Sequence, residues 1–127
     1  MIQQPALVNL AISSGEPAGV GPEVSIAAAL AFLEEQPSSS ITLLGDYSLF
    51  SATDIPKELS NRLKVESIAL VTPAIPGQLN PENAQYVLNI LDNAVKGCLE
   101  GRFDAMVTAP IQKSVINEGN TLSNDLF

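Results

Sequence analysis

The chain has no histidine, no tryptophan and one cysteine, and it carries six basic residues against fourteen acidic ones. Each shortage excludes something. Without histidine the commonest general base and the commonest zinc ligand are missing, and no other residues show the spacing of an all-protein metal site. A single cysteine, Cys98, cannot build an internal disulfide framework and fits a reducing cytosol. A formal charge of −8 repels phosphate backbones and anionic headgroups, so neither nucleic acid nor a membrane surface is an expected partner. An anionic small substrate remains possible where local donors oppose that field. The longest apolar run, "IAAALAFL", is well short of the roughly 20 residues that cross a bilayer. The opening "MIQQPALVNL" lacks the basic start of a signal peptide. A soluble cytoplasmic protein is the expectation.

What is present suits one globular unit. The 127 residues are 46% apolar and 16% charged, enough for a sizeable core. "LVNLAIS" (7–13) and "SITLLGD" (40–46) predict buried strands, and "ESIALVT" (66–72) a third. Pro22 and Glu23 suit a helix start, and the helix they open runs to Pro37. Its apolar residues crowd nearly the whole circumference, which predicts little exposure. "YSLFSATD" and "PKELSNRL" predict short helical pieces. The clearest helix follows Asn80 as N-cap and Pro81 at the first position. Its predicted buried stripe is Ala84, Val87, Leu88, Leu91, Ala94, Val95, Cys98 and Leu99, closed by Gly101. "FDAMVTAP" (103–110) predicts a fourth strand and "IQKSVINEG" another helix or turn. Strands alternating with helices at this spacing imply an α/β fold, a mostly parallel sheet covered by helices. The polar end "GNTLSNDLF" continues neither layer, so residues 1–119 are expected to form the α/β portion and 120–127 an atypical tail.

Two stretches carry chemistry. In "SSGEPAGVGPE" (13–23), Gly15, Gly19 and Gly21 are spaced neither as a dinucleotide fingerprint nor as a P-loop. Two readings stand: a tight strand-to-helix turn, or a loop whose bare amides approach an anion. In "VTAPIQK" (107–113), Thr108 ends a strand, Pro110 stiffens the exit and Lys113 lies near a helix start. Hydroxyl, amides and ammonium there suit an anion, while a capping threonine and a surface lysine explain them equally. Asp46 is read as a simple turn residue, Cys98 as a buried small hydrophobe, and Glu34 and Glu35 as a solvated helix end.

The order of residues adds to this. "SGEPAGVGPE" resembles the amino-terminal motif of the 4-hydroxythreonine-4-phosphate dehydrogenases of pyridoxal phosphate biosynthesis, over nine contiguous positions. It is similar, more distantly, to the shorter glycine motif of the isocitrate and isopropylmalate dehydrogenases, which implies that fold in incomplete form. "VTAPIQK" resembles the Thr-Gly/Ala-Pro-Ile/Val-x-Lys block of the same dehydrogenases, and "LLGD" and "GQLNPENAQYVLNILDNAV" resemble the segments between. The likeness runs from about Leu7 to about Gly119. It then fails: "GNTLSNDLF" stands where the family continues into a Gly-His-Thr-Glu segment, and the family's metal-binding histidines have no counterpart.

The resemblance implies the amino-terminal part of a dehydrogenase that oxidises 4-phosphooxy-L-threonine, a small phosphorylated hydroxy-amino acid, with loss of carbon dioxide. It also implies NAD or NADP, a divalent metal and a homodimer for the longer parent. No catalytic residue and no metal ligand is expected in this segment, which alone is expected to bind no cofactor and to be inactive. Gly15, Glu16, Gly19 and Gly21 are expected on the cleft wall near the cofactor, with Thr108 and Lys113 bordering the substrate or its phosphate. Two alternatives stay open: a related dehydrogenase of 4-phosphorylated threonate or erythronate, and a non-catalytic anion-binding or interface module.

Overall fold

A computed structural model describes residues 7–119, with side chains described to 116; the expected tail at 120–127 lies outside the described residues. Four strands, β1 (Val8–Ser13), β2 (Ser39–Gly45), β3 (Leu63–Ser67) and β4 (Ala105–Thr108), form one sheet in the order β3-β2-β1-β4. Every pairing is parallel. Helix α1 (Gly21–Glu35) links β1 to β2, α2 (Ala84–Leu99) precedes β4, and α3 (Lys113–Gly119) follows it. The predicted α/β class and parallel sheet are the observed ones.

Strand alternation divides the core between two faces. Ile12, Ile41 and Leu43 point to one side, where Ile26, Ala29 and Leu33 of α1 cover them. Their neighbours Ala11 and Leu44 point to the other, beneath Tyr86, Val87, Ile90 and Ala94 of α2. The two helices therefore lie on opposite faces. The chain steps outward from β1 through β2 to β3, then returns past β1 to lay down β4. That reversal makes the gap between β1 and β4 the topological switch point, and the loops leaving both strands meet at its carboxyl end.

Several local expectations need correcting. The third strand lies at 63–67, three residues before the predicted run, because the sheet takes the alternating edge sequence Leu-Lys-Val-Glu-Ser. The more apolar residues 68–72 leave it: the Ile68 amide still donates to the Gly45 carbonyl, and the Leu70 amide turns to the Asp46 carboxylate. "YSLFSATD" shortens to one 3₁₀ turn at Tyr47–Leu49, and "PKELSNRL" forms turns closed by the Leu59 and Arg62 amides. The buried stripe of α2 is rotated from the predicted one. It comprises Ala84, Tyr86, Val87, Ile90, Ala94 and Gly97, while Val95 and Leu99 face outward. Gly97 belongs to it because a side chain there would meet the Phe103 ring at 2.3 Å.

Helix α1 is apolar around its circumference yet is covered on one side only, with Val24 53% exposed. Its last turn holds no basic residue. Arg62 supplies the missing charge from the far side of β2, donating to the Leu33 carbonyl at 2.9 Å and to Gln36 and Ser39 carbonyls at 3.1 and 3.0 Å. Asn80 caps as predicted, accepting from the Glu82 amide, and Gly101 takes the left-handed conformation at φ 81°.

The rotated stripe is open to test by substitution. Ile90→Ala should lower unfolding free energy by about 2–5 kcal/mol, whereas Val95→Ala should change it by no more than about 0.5 kcal/mol. Urea unfolding of the two variants checks this, and equal losses would contradict the observed rotation of α2.

Candidate functional site

The two motif stretches leave adjacent parallel strands at the same end of the sheet, with Ser13 in register with Thr108. They then interlock. The Ala109 amide donates to the Ser13 carbonyl at 2.9 Å, and the Glu16 amide donates to the Pro110 carbonyl at 3.0 Å. Glycine is needed at two points of this contact. Gly15 has φ 77°, and a Cβ there would stand 2.4 Å from the Pro110 oxygen. A Cβ on Gly21 would stand 2.2 Å from the Ser14 oxygen and 3.3 Å from the Ala109 side chain. Such approaches admit only a residue without a side chain. Gly19 is exposed and carries no such constraint.

Most amides of the turn have partners within the protein. Ser14 donates to the Leu44 carbonyl, Glu16 to Pro110, Gly19 to the Glu16 carbonyl and Ala18 to the Glu16 carboxylate. These four donors hold the loop to itself and to its neighbours, so the glycines serve backbone packing first. The Gly77 amide adds an outer tie to the Ala18 carbonyl at 2.8 Å, bringing the 73–78 segment over the turn.

Glu16 turns inward and is only 4% exposed. Its Oε1 accepts from the Ala18 amide at 3.2 Å, and its Oε2 is buried without a partner. Burial pushes the carboxyl above its ordinary value, against the smaller opposing effect of the Ala18 amide. Thr108 closes β4 and Lys113 opens α3; both are exposed. The structure thus brings the predicted residues to one end of the sheet, with Glu16 buried among them and Thr108 and Lys113 on the rim.

Sequence reasoning missed a buried polar cluster beside this turn. Tyr86 of α2 is fully buried, and its Oη accepts from the Asp46 amide at 2.9 Å. The Ser14 hydroxyl donates to the Leu44 carbonyl at 2.8 Å. Gly45 leaves room for both, since a Cβ there would meet Ser14 Oγ at 2.4 Å and Tyr86 Oη at 3.0 Å. Asp46 is far more than a turn residue. Its Oδ2 accepts from the Leu70 amide at 2.8 Å, and its Oδ1 from the Ser48 amide and hydroxyl at 2.9 and 2.8 Å. Those donors, Leu70 foremost, hold its carboxyl below the ordinary value despite some burial. Burial raises the Tyr86 phenol above its ordinary value, against the smaller opposing effects of the Asp46 amide and the Ser14 hydroxyl. The signal was available: "LLGD" ends the strand next to the motif strand, and a tyrosine on a buried helix stripe must find a partner for its hydroxyl.

Among the described residues no three of His, Cys, Asp and Glu gather as metal ligands. A polar groove lies elsewhere, a space of about 580 Å³ at the amino end of the sheet lined by residues such as Asn9, Lys64, Glu66 and Arg102. It is remote from the motif loops and contains none of the predicted site residues.

A parallel α/β sheet whose two glycine- and proline-rich loops converge at the switch point defines a class, the open-sheet proteins that take ligands at the carboxyl ends of their strands. Comparison with known proteins narrows it. The family model described as pyridoxal phosphate biosynthetic protein PdxA matches residues 23–125, and the chain belongs to that family. It is 41% identical over 119 residues to the 4-hydroxythreonine-4-phosphate dehydrogenase of Burkholderia vietnamiensis, covering 89% of this chain and 36% of the relative. It is 42% identical over 125 residues to the enzyme of that name from Aromatoleum aromaticum, covering 89% and 37%. The crystal structure of a 4-hydroxythreonine-4-phosphate dehydrogenase from Burkholderia phymatum shares the fold, with TM-score 0.71 at 22% identity over 91% of this chain and 40% of that one. The Klebsiella pneumoniae structure gives 0.69 at 19%, with the same shares. The chain therefore spans little more than a third of the curated relatives it matches.

Two outcomes test this geometry. Gly77 has φ 80° with nothing near its missing side chain, so Gly77→Ala should cost about 1 kcal/mol; Gly15→Ala, which adds the collision with Pro110, should cost at least about twice that. Equal losses in chemical unfolding would contradict the interlock. The second outcome concerns Glu16. The fold holds its proton more tightly than the unfolded chain does, so its contribution to stability is complete below pH 4.5 and is lost as pH rises through the raised folded value. Glu16→Gln stays neutral, and Asp46 titrates alike in both proteins. The Tm of Glu16→Gln relative to the parent should therefore climb between pH 4.5 and 8. A difference that does not vary with pH would contradict the burial argument.

Proposed function

We propose that this chain is the amino-terminal portion of an NAD(P)-dependent dehydrogenase that oxidises 4-phosphooxy-L-threonine, with decarboxylation of the product, in pyridoxine 5′-phosphate biosynthesis. One observation supports the reading above others: the two stretches that resemble the family, far apart in sequence, are locked together at the switch point through Glu16 and Pro110. A loop joined this way holds a fixed wall of the crevice where open α/β sheets take their ligands.

In this reading Thr108 and Lys113 border the substrate or its phosphate. The hydroxyl donates or accepts, and the ammonium supplies a charge-assisted contact in a protein that is otherwise strongly acidic. The Gly15–Gly21 loop forms the wall near the cofactor, with Gly19 at its exposed bend. Glu16 contributes from beneath: its carboxylate oxygen accepts from the Ala18 amide and so fixes the bend of the loop. A nicotinamide cofactor held near the Gly15–Gly21 loop would supply the hydride acceptor. The described residues do not fit a divalent metal, having no cluster of ligands for one, so no step is assigned to a metal here. Metal binding, the remaining cofactor contacts and the homodimer belong to the longer polypeptide that the relatives represent. A cytoplasmic location fits such an enzyme, and no helix among the described residues is long and apolar enough to cross a membrane.

The experiment joins this chain in frame to the downstream part of the Burkholderia vietnamiensis relative and assays NADH or NADPH formation with 4-phosphooxy-L-threonine. Turnover is expected from the fusion and none from the 127 residues alone. Lys113→Ala in the fusion should raise KM about tenfold or more, the loss of one charge-assisted contact. A folded fusion that ignores this substrate but turns over a 4-phosphorylated threonate or erythronate would replace the reading.

A further inference from the structure

Residues 73–79 run as a strap between two fixed points. Thr72 is held at its start, its amide donating to Asn83 Oδ1 and its carbonyl accepting from Asn83 Nδ2, both at 3.1 Å. Asn80 is held at its end as the cap that accepts from the Glu82 amide. Between them Pro73 and Pro76 carry no amide hydrogen, and every residue except Ala74 is exposed. Ile75-Pro76-Gly77-Gln78 has the form of a type II turn, with proline second, glycine third at φ 80°, and the Gln78 amide donating to the Ile75 carbonyl at 2.9 Å. The tip is therefore a preformed unit on two short arms. Among the described residues its one hydrogen bond to the body of the protein runs from the Gly77 amide to the Ala18 carbonyl at 2.8 Å.

Ala18 is where that latch meets Glu16. The Ala18 amide donates to Glu16 Oε1 at 3.2 Å while its carbonyl accepts from Gly77, so both backbone groups of one buried residue are engaged. Glu16 is in turn held inward, with Oε2 buried and unpartnered. A neutral carboxyl tolerates that position, whereas an ionised one is drawn toward water or toward a donor that the site does not offer. Reaching water means turning the side chain out, which releases the Ala18 amide and frees the 17–19 bend to shift its carbonyls. The backbone bond from Glu16 to Pro110 takes no part, so the interlock survives the movement.

We propose that Glu16 is the switch of a latch: its inward carboxyl holds the Ala18 bend that fastens the 73–79 strap, and its ionisation lets the strap go. The inference goes beyond the proposed reaction and stands or falls separately from it, since it concerns only the mobility of the crevice wall. The switch works above pH 4.5, because burial raises the Glu16 carboxyl. The other titrating groups of the cluster are Asp46, held below its ordinary value by the Leu70 amide foremost, and Tyr86, raised by burial. Neither changes charge between pH 4.5 and 8. Helix α1 brings Glu23 and α3 brings Lys113, both at the surface. Below the Glu16 midpoint the strap is latched. Above it the tip swings free with Ile75, and the turn that walls the candidate crevice loses its outer tie.

The test is a pH titration of this chain by NMR between pH 4.5 and 8, reading the Glu16 carboxyl carbon and the strap amides together. The Gly77 amide should titrate with the Glu16 midpoint. Above it, the order parameters of Ile75, Gly77 and Gln78 should fall from the rigid range to below about 0.6. In Glu16→Gln, which stays neutral, the strap should remain ordered throughout, while Glu23→Gln should leave the parent's behaviour unchanged. The coupling is reciprocal, so loosening the strap by Gly77→Ala should shift the Glu16 midpoint down toward the ordinary carboxylate range. That variant gives a reading even where Glu16→Gln fails to fold. A strap whose order is unchanged while Glu16 titrates, a strap that loosens equally in Glu16→Gln, or a Glu16 midpoint unmoved by Gly77→Ala would each overturn the proposal. So would a Glu16 carboxyl that does not titrate in the folded chain. Loosening at the Glu16 midpoint in a fusion without dehydrogenase turnover would uphold the latch and count against the proposed reaction.

Discussion

The described structure depends on a backbone contact between two loops that lie more than ninety residues apart in the chain. The Glu16 amide meets the Pro110 carbonyl where β1 and β4 end, and the Ala109 amide meets the Ser13 carbonyl one step below. Both bonds require the loops to approach more closely than any side chain permits, which is why glycine stands at positions 15 and 21. The glycines of this turn are also what an open cradle for an anion would require. Their effect here is different: removing Cβ atoms lets one loop become the seat of another, and most of the turn's donors are engaged in that seat.

Around this contact two carboxyl groups are tuned in opposite directions. Asp46 collects donors from Leu70 and Ser48 and stays ionised more readily, holding the segment after β3 to the end of β2. Glu16 has one donor, a buried and unpartnered second oxygen, and a preference for its proton. Tyr86 lies between, tied to the Asp46 amide and close to Ser14. The ends of β1 and β2, the start of α2 and the segment at 68–72 thus form one hydrogen-bonded unit. It has few alternative arrangements, because each buried donor released would be left unpaired at a cost of about 1–3 kcal/mol.

The general plan was legible in the sequence because its signals are local. Apolar runs between turn residues marked β1, β2 and β4, Asn80 and Pro81 marked the long helix, and residue order in the two loops indicated the family. Other features depend on partners distant in the chain. The edge strand β3 follows an alternating pattern weaker than the apolar run after it, so its position was set by pairing with β2 rather than by composition. Val95 and Leu99 are apolar yet outward, and Ile90 is inward, because α2 is oriented by the anchored Tyr86 and by Gly97 against Phe103. The inward turn of Glu16 and the reach of Asp46 are tertiary facts, decided by which loops meet above the sheet.

The acidic, histidine-free composition also becomes intelligible. In the proposed reading the unit holds one wall of a crevice, which asks for backbone precision more than for reactive side chains. Native-state hydrogen exchange of the Glu16 and Ala109 amides tests this most directly. If the interlock is integral to the core, both should exchange only through global unfolding, with the same free energy as the β1 amides. Exchange of these two amides at rates typical of a surface loop, while β1 remains protected, would contradict the account.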